Sequence, residues 1–439
     1  MALIFAARLL LLLASTVTAV LLPSQDVFYT QPANISSYNP GDVINTRSIP
    51  TNLNGLLAGG PSPSIKAAYQ YLYRTTDSLG NPVAAVTTLL VPHGADPSKL
   101  LAYQTAYDSA NNDCSPSYAL QAGANTSATS DIIFITAALD QGWYVLSPDY
   151  EGLNAHYTSG LISGYATLDS VRAAFKQTAA SGLSTSAKYA MWGYSGGSLA
   201  SEWAAELQPS YAPELKFQGA ALGGLIPNVQ NVLSTINKGP FAGLAFSGIY
   251  GLSKAYPELA AFLDANLVPS KKDQFYSTAN GCLSQASSQG AFQDLYSYFT
   301  TGKAAFSQPV PQSVLSKTGI MGTHGVPSIP FFVYKAVADE VSPSNDTDSL
   351  VKTLCSRGTS IEYHKDVIGE HITEAITGSA NALAWISDRL EGKAVSTGCT
   401  TEVVALTSVD LESVEQLGGE LVALLQDLLG GRLGPAFSG

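Results

Sequence analysis

The sequence is poor in charge. Asp, Glu, Lys and Arg make up 13% of its 439 residues, and the formal net charge is -12. Such a chain lacks the basic stripe that a polyanion demands, which argues against nucleic acid and against anionic membrane surfaces as partners. Cysteine is sparse too: Cys114, Cys282, Cys355 and Cys399 lie far apart, with no C-x-x-C pair. A metal clamp or dithiol redox site has no signature here, and neither metal nor cofactor is expected. Past the N-terminus no apolar run reaches the roughly 20 residues of a membrane span, so no transmembrane anchor is expected. Internal repeats and low-complexity linkers are missing as well. Histidine occurs five times, as His93, His156, His324, His364 and His371. Any imidazole chemistry must come from that short set.

What the chain does have is bulk apolar surface. At 46% hydrophobic residues it can bury the core of one large, monomeric domain with an insertion. The opening stretch MALIFAARLLLLLASTVTAVLLPSQD is apolar, interrupted by Arg8, and carries Val17 and Ala19 at the minus-three and minus-one positions of a cleavage site. Residues 1–19 read as a secretory signal, and the mature protein as extracellular. In that compartment the four cysteines imply two disulfides, with three pairings open. Sequons at Asn34, Asn125 and Asn345 fit export and predict surface loops if glycosylated.

The apolar pattern predicts an antiparallel hairpin around Asp77–Pro82, followed by buried strands in KLLAYQ, WYVLSP, AKYAMWG, KFQGAALGGLIP, IPFFVYKA and SIEYHKD. Helical periodicity falls between them, near 129–140, in YATLDSVRAAFKQTAA, in GSLASEWAAEL, in DTDSLVKTLCSRG and in HITEAITGSANALAWISDRLEG. Alternating strand and helix predicts an α/β fold with a mostly parallel central sheet. Residues 20–230 and 310–395 read as its core, and 231–309, helical with no clear strand, as an inserted cap. Residues 396–439 read as a C-terminal extension, with an amphipathic helix over 411–431 docked on the core.

In YAMWGYSGGSLASEWAAEL, the Gly-Tyr-Ser-Gly-Gly core is weak evidence alone, because a chain this rich in Gly and Ser yields roughly 0.4 chance matches to Gly-x-Ser-x-Gly. Its setting adds weight: a buried strand precedes Ser195 and a helix follows it, as in a nucleophile elbow. The helix N-terminus offers the Gly196 amide to a developing oxyanion. A serine nucleophile needs an imidazole base oriented by an acid, in the chain order Ser, acid, His. His93 and His156 precede Ser195, and His324 leaves little room for an acid; His371, just past a strand, is preferred to His364 within it. Asp339, directly after an apolar run, is preferred as the acid to Glu340, Asp346 and Asp348. YQTAYDSANNDC holds no His-Gly-Gly-Gly, and the Asp108 amide is the second oxyanion donor that its position offers.

Five blocks in fixed order, YQTAYDS with the following CSPSY, then SPDYEG, GYSGG, ADEVSP and GEHITEAITG, resemble the fungal secretory lipase family over about residues 25–395. The resemblance implies an α/β-hydrolase fold, Asp108 and Gly196 as oxyanion hole, Ser195 as nucleophile, Asp339 as acid and His371 as base. It also implies the pairings Cys114 with Cys282 and Cys355 with Cys399. The expected activity is a secreted carboxylic ester hydrolase acting on triacylglycerols or other long acyl esters, at a lipid-water interface. A short-chain esterase or acyltransferase uses the same chemistry. A serine peptidase of this fold fits less well, for want of charged residues in the cap, as does a catalytically dead binding protein, given an intact Ser, Asp and His.

Overall fold

Strands covered on both faces need apolar residues at nearly every position, and five central strands have them: β4 (Lys99–Gln104), β5 (Tyr144–Pro148), β6 (Lys188–Tyr194), β7 (Ala220–Gly223) and β8 (Phe331–Ala336) are buried almost throughout. The structure, a computed structural model, describes residues 20–54, 65–124 and 131–404. The proposed signal over 1–19, Asn125 and the tail helix over 411–431 lie outside the described residues. Five further strands complete the sheet: β1 (Val43–Ser48), β2 (Ala67–Thr76), β3 (Pro82–Val91), β9 (Ile361–Asp366) and β10 (Cys399–Val404). Their order is β1-β2-β3-β5-β4-β6-β7-β8-β9-β10. Pairs β1/β2, β2/β3 and β3/β5 are antiparallel, and every pair from β5/β4 to β9/β10 is parallel.

Helices cover both faces. They are α1 (Pro116–Ala119), α2 (Ile132–Asp140), α3 (Gly160–Lys176), α4 (Thr178–Ser181), α5 (Gly196–Tyr211), α6 (Val229–Ile236), α7 (Ala242–Ala255), α8 (Pro257–Asn266), α9 (Lys272–Ala279), α10 (Leu283–Gly290), α11 (Pro309–Thr318), α12 (Ser344–Ser356), α13 (His371–Thr377) and α14 (Ser379–Glu391). Successive strand residues face opposite ways. Leu100, Ala102 and Met191 therefore join α3 and α5 through Leu168, Leu199 and Trp203, while Leu101, Tyr103 and Trp192 join α2 and α14 through Ile135, Leu383 and Ile386. Each fully buried leucine or isoleucine contributes roughly 1.5–3 kcal/mol of transfer free energy, so these two layers fix the sheet that carries the loops above it. This is the α/β-hydrolase arrangement.

Between β7 and β8 the described chain forms helices α6–α11 and short 3-10 turns, with the isolated bridges Asn228–Ile320 and Leu267–Phe299 as its β pairings. Rings of Phe246, Phe275, Tyr298, Phe299 and Phe306 pack together in its centre, with Phe246 on Tyr298, Phe275 on Phe299 and Phe299 on Phe306 edge to face. Both disulfides form, Cys114 with Cys282 and Cys355 with Cys399, at Cα separations of 5.5 and 6.1 Å.

Three expectations need correction. Residues 399–404, read above as part of an extension outside the core, form the edge strand β10 of the central sheet beside β9. The long helix expected over 371–392 is two, α13 and α14, broken at Gly378. The strand expected over 216–227 shrinks to the four residues of β7.

Candidate active site

Ser195 stands between β6 and α5 with φ 53° and ψ -121°. Left-handed backbone in a non-glycine residue costs on the order of 1–3 kcal/mol and persists only where neighbours impose it. Here the Ser195 amide donates to the Gly223 carbonyl at 2.9 Å, pinning the turn to the next strand. The flanking glycines make the turn possible: a Cβ at Gly193 would lie 2.3 Å from the Gly197 carbonyl carbon, and one at Gly197 would lie 1.9 Å from the Gln104 carbonyl oxygen. The amides at the start of α5 have no partner within the helix and bring the positive end of its dipole to Ser195.

His371 opens α13, directly after the loop that leaves β9, and its ring is buried. Its Nε2 lies 2.8 Å from Ser195 Oγ and its Nδ1 lies 2.7 Å from Asp339 Oδ2. An ionised carboxylate only accepts, so Nδ1 carries the proton and Nε2 faces the serine hydroxyl as an acceptor. The backbone of His371 is held as well. Its amide donates to Glu340 Oε2 at 2.7 Å, and its carbonyl accepts from the Tyr194 hydroxyl at 2.6 Å.

Asp339 follows β8 and is almost fully buried. Its Oδ1 accepts the amides of Val341 and Ser342 at 2.9 and 2.7 Å, while Oδ2 lies 2.7 Å from both His371 Nδ1 and Lys335 Nζ. Burial alone would raise this carboxyl, but the hydrogen bond and charge of His371 and the Lys335 ammonium hold it well below the usual carboxylate range.

The loop after β4 brings Asp108 to the same place. Asp108 is buried with φ 42°, and its Oδ1 lies 2.0 Å from where a Cβ on Gly196 would stand. Burial pushes its carboxyl up to about 7, with the charge of Asp131 adding and a hydrogen bond from Tyr157 opposing. Asp131 in turn accepts the Ala106 amide at 2.7 Å, fixing the loop from behind.

Beside Ser195 runs a narrow, mostly apolar slot of ≈ 50 Å³. Asp108, Gly196 and Ser195 form its polar end, and Val229, Leu233 and Ile236 of α6 with Leu244 and Ile249 of α7 form its walls. Two wider clefts of ≈ 600 and ≈ 630 Å³ elsewhere hold none of Ser195, Asp339 and His371.

The residues set aside by the sequence sit apart from this cluster. His364 lies in β9 beside Glu362 and Glu402, with its ring on Phe332. His324 packs on Trp203, and burial pushes His156 down to about 4. Asp346 accepts from Asn231 and Asp348 from Tyr363, while Glu340 serves the His371 amide. Asn34 and Asn345 are exposed, Asn34 in a turn as expected, but Asn345 in the first turn of α12 rather than in a loop. Sequence reasoning missed Lys335, which in an apolar strand shows no sign of its carboxylate partner. Among the described residues no group of His, Cys, Asp and Glu is arranged to hold a metal ion, and no helix is long and apolar enough to cross a membrane.

Comparison with known proteins gives a consistent relationship. The profile of the family described as "Secretory lipase" matches residues 119–398. Lipase A of Arthroderma benhamiae is 39% identical over 422 residues, covering 94% of this chain and 89% of the relative. The trichothecene C-3 esterase of Fusarium sporotrichioides is 38% identical over 381 residues, covering 83% of each. The X-ray structure of Candida antarctica lipase A in its closed state superposes with a TM-score of 0.82 at 31% identity, covering 94% of this chain and 96% of that one. By sequence and by fold, the chain belongs to the secretory lipase family, a family of lipase and esterase hydrolases.

Proposed function

We propose that the chain is a secreted serine hydrolase of carboxylic esters, a triacylglycerol lipase working through an acyl-enzyme on Ser195. The observation that carries this is the single imidazole between two groups: His371 lies 2.8 Å from Ser195 Oγ and 2.7 Å from Asp339 Oδ2. As Ser195 Oγ adds to the ester carbonyl, His371 Nε2 takes its proton, and Asp339 stabilises the imidazolium without taking that proton itself. The carbonyl oxygen gains negative charge, which the amides of Gly196 and Asp108 receive. His371 then returns the proton to the departing alcohol. In the second half it takes a proton from water, whose oxygen attacks the acyl carbonyl, and hands that proton to Ser195 as the acid leaves.

The apolar slot beneath α6 and α7 suits an acyl chain, and the helical segment that holds it acts as the cap. A signal over residues 1–19 and two disulfides support export. Asn34 and Asn345, both exposed, are the sequons open to glycosylation among the described residues. A short-chain esterase is the second reading, favoured by the esterase among the relatives and by the narrowness of the slot. The test is hydrolysis of p-nitrophenyl esters graded from short to long acyl chains, beside Ser195→Ala. Turnover that rises with chain length, with a folded but inactive variant, is the expected result. A preference confined to the shortest esters selects the second reading, and a fully active variant overturns both.

A further inference from the structure

The Asp339 oxygen that faces His371 is shared with a cation. Lys335 Nζ lies 2.7 Å from Asp339 Oδ2, the atom that is also 2.7 Å from His371 Nδ1, so ammonium and imidazole are no more than 5.4 Å apart. Lys335 is fully buried on β8 and also donates to the Leu225 carbonyl at 3.0 Å, which accepts from Ser342 Oγ at 2.8 Å as well. Strand and loop thus hold the ammonium in one place. A lone cation there would carry a large desolvation penalty, and Asp339 offsets it.

We infer that Lys335 is a positioning residue for hydrolysis: it turns Asp339 toward His371, and its charge opposes uptake of a proton by the Asp339–His371 pair, which extends activity into acid solution. The inference rests on the Ser195, His371 and Asp339 reading given above. Other ionisable groups face this pair from each neighbouring element. They are Glu340 beside Asp339, Asp346 on α12, Glu374 on α13 paired with Asp366 on β9, Tyr363 on β9 and Tyr194 on β6. Lys335 is the only cation whose nitrogen lies within salt-bridge distance of Asp339 among the described residues, His371 aside. Burial lowers the Lys335 ammonium while Asp339 draws it back, and the hydrogen bond and charge of Lys335 help to keep Asp339 ionised.

The sign follows from charge alone. Activity requires His371 without its extra proton, so removing a nearby cation lets the inactive, protonated pair survive to higher pH. A unit charge at about 5 Å and an effective permittivity of about 20 corresponds to roughly two pH units. The experiment is a pH profile of kcat/KM on a soluble acyl ester, with end-point detection of the released acid, for wild type, Lys335→Met, Lys335→Gln, Lys335→Arg and Ser195→Ala. The acid limb should move upward by about one to two pH units in Lys335→Met and Lys335→Gln, and Lys335→Arg should restore it. Lys335→Gln is included because it keeps a donor where methionine has none. A neutral variant that folds, loses rate and keeps the wild-type limb overturns the inference in favour of a structural lysine, as does failure of both neutral variants to fold. Activity retained in Ser195→Ala would instead remove the underlying reading, whatever Lys335 does.

Discussion

Asp108 Oδ1 stands 2.0 Å from the point that a Cβ on Gly196 would occupy. The loop after β4 and the start of α5 are therefore fitted to each other at the site where the oxyanion would form, and only glycine at 196 leaves Asp108 in place. Gly196→Ala should displace Asp108 and lower kcat by roughly 10²-fold, with a smaller effect on KM. Single-turnover and steady-state rates on a soluble ester check this. An unchanged kcat would mean that neither group receives the oxyanion.

Asp339→Asn should lower kcat by about 10³–10⁴-fold in the protein that folds, because an amide can turn its NH₂ to His371 and stabilise the wrong tautomer. It should lower stability as well, because the buried Lys335 ammonium loses its counter-charge. His371→Ala should abolish turnover. His364→Ala should leave most of it, since His364 lies on β9 beside Glu362 and Glu402. The reverse pattern for the two histidines would move the base to β9.

These assignments were legible to different depths. Ser195 could be read because an elbow demands a buried strand, small residues and a helix in immediate succession, and all three leave marks in sequence. Asp339 and His371 followed from chain order and from their positions just past apolar runs. Glu340, weighed as a rival acid, binds the His371 amide instead, a role that depends on two loops meeting in space. Lys335 was illegible for the same reason, since its partner is set by how the chain turns after β8. The edge strands β1 (VINTRS) and β10 (CTTEVV) are short, polar and mostly exposed on their outer faces, so they lack the apolar run that marked the central strands. The break at Gly378 was hidden because the apolar spacing continues across it from α13 into α14.

The bridge from Cys114 to Cys282 spans 168 residues and joins the end of the Asp108 loop to the turn before α10. Beside it Ser109 Oγ donates to the Gly281 carbonyl, Asn111 Nδ2 to the Asn280 carbonyl and Lys254 Nζ to the Ala110 carbonyl. Loop and helical segment are thus tied at four points. Replacing both cysteines by alanine should lower stability by roughly 2–5 kcal/mol and reduce kcat, because the loop carrying Asp108 loses its covalent anchor. The bridge from Cys355 to Cys399 spans 44 residues and ties α12 to β10, away from Ser195. Its removal should lower stability with little change in kcat for the protein that remains folded. Chemical denaturation and rates measured well below the transition separate the two effects. Equal losses of kcat in both double variants would contradict this division.

Several buried carboxyls should give stability an acid-side maximum. Burial pushes Asp149 up to about 7, against hydrogen bonds from the Ser117 amide and hydroxyl, and likewise pushes Asp131 up to about 6 and Asp108 up to about 7. A carboxyl that holds its proton more tightly when folded than unfolded makes the native state bind more protons. Its contribution is complete below the unfolded value near 4 and is lost as pH rises toward 6 or 7. Asp339 has the opposite sign: its carboxyl is depressed, so its contribution is present above the unfolded value and disappears only in stronger acid. The two trends should leave the protein most stable in mild acid, with the buried His156, depressed to about 4, opposing them in part. The unfolding temperature should be higher at about pH 5 than at about pH 8, and Asp149→Asn, nearly isosteric and unable to ionise, should narrow that difference. Calorimetry of both proteins across this range tests the prediction. An unfolding temperature that rises from mild acid to mild alkali, or a difference untouched by Asp149→Asn, would mean that these carboxyls are ionised in the folded protein and that other groups bear the cost of burying them.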